Sequence, residues 1–162
     1  MNFNEPPDYG QLTESQKNHV VSTWGLLQSY VPNVPNVTRE ALSHSAWVLS
    51  NGLLSMSQTV KFNSGLVSKS FYETGKCLSK ATPEHFHSRK NVMMKLLESE
   101  FNTLWTAEEF YNHVKHKILW HGVVSRENRA LMEFDMCMDW ETKYEKAGIE
   151  LVEWVTQRSV DS

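Results

Sequence analysis

Apolar side chains recurring at every third or fourth position behind helix-start signals are the feature that most restricts this chain. Thr13-Glu14-Ser15-Gln16 has the spacing of a capping box, in which hydroxyl and amide side chains satisfy backbone amides left over at a helix start. Val20, Val21, Trp24 and Leu27 follow it at helical intervals. Thr106-Ala107-Glu108-Glu109 repeats the device ahead of Phe110, Val114 and Ile118, and Leu119, Val123 and Val124 extend the predicted helix. Thr82-Pro83-Glu84 reads as a third start, because threonine caps, proline suits the first helical position and a carboxylate favours the positive helix end. Phe86, Met93, Leu97, Phe101 and Leu104 come after it.

Between these anchors the pattern continues. Pro32 and Pro35 end the first helix, since proline lacks the donor that a helix interior needs. Thr38 caps a second helix bearing Ala41, Leu42, Ala46, Trp47, Leu49, Leu53 and Leu54, with Asn51-Gly52 as a point of kinking. A third is expected to carry Val67, Phe71 and Leu78 on one side, with Gly75 inside it. The pattern weakens at Val124 to Asn128 and resumes at Leu131, Phe134 and Met138 in a second helix, and the last segment presents Trp140, Tyr144, Ala147, Leu151, Val152 and Val155. No period-2 alternation persists, so strands are expected to be few or absent. The predicted class is all-α: a single-domain bundle of about six to seven helices over residues 12–162, behind a flexible leader at 1–11 interrupted by Pro6, Pro7 and Gly10.

Composition narrows the functional classes. With 40% hydrophobic and 22% charged residues, six Trp, five Tyr and seven Phe, the chain can bury one continuous core. A net charge of −3 and scattered Lys and Arg give no basic stripe for a run of phosphates, which argues against nucleic acid. The start of the chain is polar and carries Glu5 and Asp8, unlike a signal peptide, and no apolar run reaches the roughly 18 to 20 residues of a membrane span. Cys77 and Cys137 form no CxxC pair and read as reduced core thiols, so the expected location is cytoplasmic.

Catalytic and metal chemistry find little footing. Glu109, His113 and His116 fall within about 60° on a helical wheel and could converge on a metal ion. They lack the HExxH arrangement, however, and occupy the face turned away from Phe110, Val114 and Ile118, where solvated polar residues belong. His85 and His87 point in nearly opposite directions on a helix and cannot share an ion. There is no GxSxG elbow and no clustered-glycine phosphate cradle. No catalytic residue, metal ligand or cofactor is therefore assigned. Trp24, Trp47 and Trp140 sit in apolar stripes and are expected in the core. Trp105, His113, His116 and Trp120 are the candidate partner-binding residues.

Leu12 to Gln16 followed by Val20, Val21 and Trp24 resembles the first helix of globins, Phe110 to Val124 the penultimate one, and Trp140, Tyr144 and Leu151 to Val155 the last. A globin holds haem through a histidine in the helix before the Phe110 helix, and residues 91–106 contain none; His85 or His87 would have to substitute. This resemblance implies a globin-like fold without conventional haem ligation. A second resemblance is to viral Bcl-2-like death suppressors. Phe71 to Gly75 has the spacing of a BH3 segment, and Leu119 to Val124 with Asn128 and Arg129 is similar to a stretch of the adenoviral members. Lys76 stands where an Asp should follow the glycine, and the Asn-Trp-Gly-Arg signature is absent. The expected function is a non-enzymatic regulatory protein that binds a protein partner through a groove or an exposed aromatic helix face. A Bcl-2-like apoptosis inhibitor and a globin-type haem or small-ligand sensor are the alternatives.

Overall fold

The computed structural model describes residues 3–30, 39–57, 62–98, 106–135 and 138–155. Its contacts fall into two units. One draws on Met1–Asn4, Ser64–Glu84 and His121–Ser162, the other on Glu5–Asn63 and His85–Trp120.

The second unit is helical: α1 (Glu14–Tyr30), α2 (Arg39–Ser57), α4 (Arg89–Glu98) and α5 (Ala107–Val114). Both capping boxes form as read. The Gln16 amide nitrogen donates to Thr13 Oγ1 over 3.1 Å while Thr13 N donates to Gln16 Oε1 over 2.9 Å, and Thr106 and Glu109 exchange the same bonds at 3.2 Å. α2 packs on α1 and α4, and α1 also meets α5. Val20 and Leu27 of α1, Ala46, Leu49 and Leu53 of α2, Met93 and Leu97 of α4, and Phe110 and Val114 of α5 are buried.

Asn51-Gly52 does not break α2, which runs through it. Close packing is the reason for the glycine: a Cβ at Gly52 would run into Thr23 Oγ1 and approach Thr23 Cβ to 3.0 Å, and Thr23 is itself buried. Trp47, expected in the core, is 55% exposed. The buried arc of α2 is centred on Leu42, Ala46, Leu49 and Leu53, and Trp47 stands outside it.

The first unit overturns the all-α expectation. A four-stranded mixed sheet of order β2-β3-β1-β4 accompanies the helices, with β1 at Asn63–Ser68, β2 at Thr82–His85, β3 at Trp120–Val123 and β4 at Leu151–Glu153. β1 and β4 are antiparallel, with Leu66 opposite Glu153 and Ser68 opposite Leu151. α3 (Lys69–Glu73), α6 (Ser125–Leu131) and α7 (Trp140–Ala147) complete the unit. The third predicted helix is thus a strand followed by one short helical turn, and Gly75 lies beyond it with φ +66. Thr82-Pro83-Glu84 starts a strand rather than a helix. β2 is an edge strand, where a residue without an amide proton does least harm. The helix begins at Arg89, after Ser88, whose carbonyl and hydroxyl accept from the Val92 and Asn91 amides. α7 stops at Gly148, which adopts the left-handed conformation at φ 70, and the Leu151–Glu153 segment, read as helix, pairs with β1 instead.

Trp140 and Leu151 do pack where the apolar stripe required, against the buried group of Leu131, Tyr144 and Ile149. Cys77, expected as a core thiol, is exposed; Cys137 lies outside the described residues. Residues 3–12 carry specific bonds. Asn4 N donates to the Ser64 carbonyl over 2.8 Å in the sheet unit, and in the helical unit Tyr111 Oη donates to the Pro7 carbonyl while Pro6 and Leu12 are buried. No helix among the described residues is long and apolar enough to cross a membrane.

Gly52→Ala should destabilise the chain although the same change in an open helix gains about 1 kcal/mol. We expect a loss of about 2 kcal/mol or more in urea unfolding, from overpacking against Thr23. Adding Thr23→Ala to the variant should restore most of it.

Candidate functional site

Of the four candidate partner-binding residues, Trp105 lies outside the described residues. His113 and His116 are exposed at the end of α5, and Trp120, the first residue of β3, is 8% exposed. The would-be metal trio is spent on other work. Glu109 Oε2 closes the cap at Thr106, His116 Nε2 stands 2.9 Å from Glu5 Oε2, and His113 Nε2 stands 3.2 Å from Lys117 Nζ. No group of three metal-ligating side chains is assembled among the described residues. Burial first, and the Lys117 ammonium second, hold His113 below the usual imidazole range. Lys117 is lowered in turn by burial and by Lys95.

α2 assembles a surface that the sequence reading placed elsewhere. His44, Trp47, Val48 and Asn51 are exposed and share the arc opposite the buried one. The His44 ring lies 6.4 Å from the Trp47 ring at an interplanar angle of 24°, so the two stack. Val48 is 38% exposed beside them.

The sheet unit holds a polar pair that sequence reasoning missed. His121 is fully buried on β3, and its Nε2 is hydrogen-bonded to Tyr144 Oη, which α7 presents. Burial, with the charges of Glu84 and Glu127 behind it, pushes the Tyr144 phenol far above its ordinary value, so it keeps its proton. Edge-on rings continue the cluster, Tyr144 to Trp140 at 5.6 Å and Trp140 to Phe3 at 6.5 Å. Glu127, also buried, accepts the Val124 amide through Oε2 at 3.1 Å and caps α6. This arrangement is suited to anchoring β3 to α7. Alternation along a four-residue strand is too short a signal to have revealed it.

His85, at the end of β2, stands apart. Burial first and the Arg89 guanidinium second push its pKa down to about 3.

Compared with protein-family models, curated proteins and solved structures, the chain has no match.

Two outcomes follow. Tyr144→Phe removes the hydroxyl that meets a buried ring nitrogen and should cost about 1–3 kcal/mol in denaturant unfolding, with Trp140 fluorescence reporting loosened packing. His85 is neutral in both states well above pH 6.5; below that the unfolded chain takes up a proton that the native ring refuses until about pH 3, so stability falls as acid is added. This group contributes about 1.4 kcal/mol per pH unit across the window. His85→Gln should flatten the difference between melting temperatures at pH 6.5 and pH 4.5 relative to the parent chain.

Proposed function

We propose that this chain is a non-enzymatic interaction protein that engages a protein partner through the outward face of α2. The observation that carries the reading is the exposed Trp47, 55% accessible and stacked with His44 beside Val48 on one arc of the helix. A water-facing tryptophan gains nothing in the free protein, whereas at an interface it brings a large apolar area at small entropic cost. Isolated exposed apolar residues are ordinary, but a Trp-Val pair on one helix arc with a stacked ring is an anchor of the kind partners bury. The residues that a metal or hydrolytic reading would use, Glu109, His113 and His116, are engaged within the chain by Thr106, Lys117 and Glu5.

A photo-cross-linking residue at Val48, installed in the protein within its native source, tests the reading. One defined protein adduct is expected, reduced about tenfold by Trp47→Ser, as loss of an anchor worth about 1.4 kcal/mol or more would give. The variant itself should unfold within about 0.5 kcal/mol of the parent, since the side chain is on the surface. Adducts indifferent to Trp47 would overturn the proposal, and a Soret band with stoichiometric iron in the purified protein would replace it with ligand sensing.

A further inference from the structure

The end of α5 and the turn after it read His113-Val114-Lys115-His116-Lys117, four basic side chains in five residues. Two of them are answered by a segment more than a hundred positions away in the chain. Lys115 Nζ lies 3.4 Å from Asp8 Oδ1 and His116 Nε2 lies 2.9 Å from Glu5 Oε2. Between those carboxylates Pro6 and Pro7 keep the backbone extended. Pro6 is buried, the Tyr111 hydroxyl donates to the Pro7 carbonyl, and the Tyr9 ring sits 5.9 Å from the Tyr111 ring. An aromatic side chain that bonds the carbonyl of an extended proline pair, flanked by a lysine and a histidine nitrogen that meet its acidic neighbours, resembles the apparatus with which domains capture proline-containing peptides. Here it is built against the chain's own residues 5–9.

The two halves of the contact differ in character. On the α5 side, with the strap in place, Tyr111 is fully buried and packs edge-on against the buried Phe62, the Lys115 side chain is 16% exposed and that of His116 is 55% exposed. On the strap side, the Glu5 and Asp8 side chains are 84% and 80% exposed. Exposed carboxylates gain little from such pairs and lose them readily to a competitor of the same charge. Lys117 follows directly, its Nζ 3.2 Å from His113 Nε2, and the strap's two carboxylates are spent on Lys115 and His116.

We propose that the α5 face formed by Tyr111, Lys115 and His116 is a docking site for an extended, acidic, proline-containing peptide of a partner protein, and that Glu5-Pro6-Pro7-Asp8 is its resident, displaceable occupant. The site is separate from the α2 face and does not depend on the reading given for it. A partner segment with carboxylates three residues apart around a proline pair would take over the Lys115 and His116 contacts and the Tyr111 hydroxyl. A longer acidic run would add Lys117. The strap then acts as an internal competitor that sets the threshold for binding.

The test uses the full chain and a fluorescent peptide copying residues 3–12. Glu5→Gln with Asp8→Asn weakens the strap while keeping Pro6 and Pro7 in place. Anisotropy titration at low salt should give binding at least tenfold tighter to this double variant than to the parent. Adding Lys115→Glu should abolish it, as should replacing both peptide carboxylates by amides. Trp47→Ser should leave it unchanged, so that failure of the α2 reading and failure of this one are told apart. Equal affinity for parent and double variant, no binding to either, or equal binding of a polyglutamate peptide lacking the proline pair would overturn the proposal. If the double variant does not fold, hydrogen exchange on the parent decides. Excess peptide should accelerate exchange at the Gln11 and Leu12 amides, which are bonded to the Asp8 and Tyr9 carbonyls. Unchanged exchange there would overturn it equally.

Discussion

Burial of the inner strands is the constraint from which the sheet unit follows. All four residues of β3 are buried, and five of the six in β1. A backbone removed from water must spend its amides and carbonyls on neighbours, and strands on both sides allow that. One of the buried residues is His121, so a polar ring must also be satisfied in the interior, and Tyr144 meets it from α7. This hydrogen bond ties α7 to β3. From there Leu131, Ile149 and Leu151 find their packing and the chain turns at Gly148 into β4.

The helical unit is organised by a plainer rule. α2 divides cleanly into a buried arc of Leu42, Ala46, Leu49 and Leu53 and an exposed arc of His44, Trp47, Val48 and Asn51. Burial of the first arc is repaid by apolar area removed from water, and nothing within the described residues requires an aromatic on the second. α5 divides the same way, with Phe110, Tyr111 and Val114 inside. The polar side chains at its end are engaged within the chain, His113 by the nearby Lys117 and Lys115 and His116 by the distant Asp8 and Glu5.

Much of the helical unit was legible in the sequence. The Thr13-Gln16 and Thr106-Glu109 boxes form as read, because a cap is a contact across three residues and needs no tertiary partner. The strands were not legible. Short strands buried on both faces carry no alternation, and β3 continues the apolar spacing of Phe110, Val114 and Ile118, so it reads as one more helical turn. Thr82-Pro83-Glu84 illustrates the same limit: three residues ideal for a helix start occupy an edge strand, where the proline is equally at home. Trp47 was misplaced by about one step around the helix, enough to carry it from the core to the surface.

The order of amino acids by itself determined the caps and the amphipathic arcs of α1, α2 and α5. Each of these depends on spacing within one short segment, and local backbone geometry converts spacing into direction. Tertiary structure alone decided that residues 63–68 and 151–153 would pair as strands, that His121 would meet Tyr144, and that Glu5 and Asp8 would meet α5. Such contacts join positions tens of residues apart or more. Their free energy comes from shared burial and charge complementarity, which no single segment expresses before the chain has closed on itself.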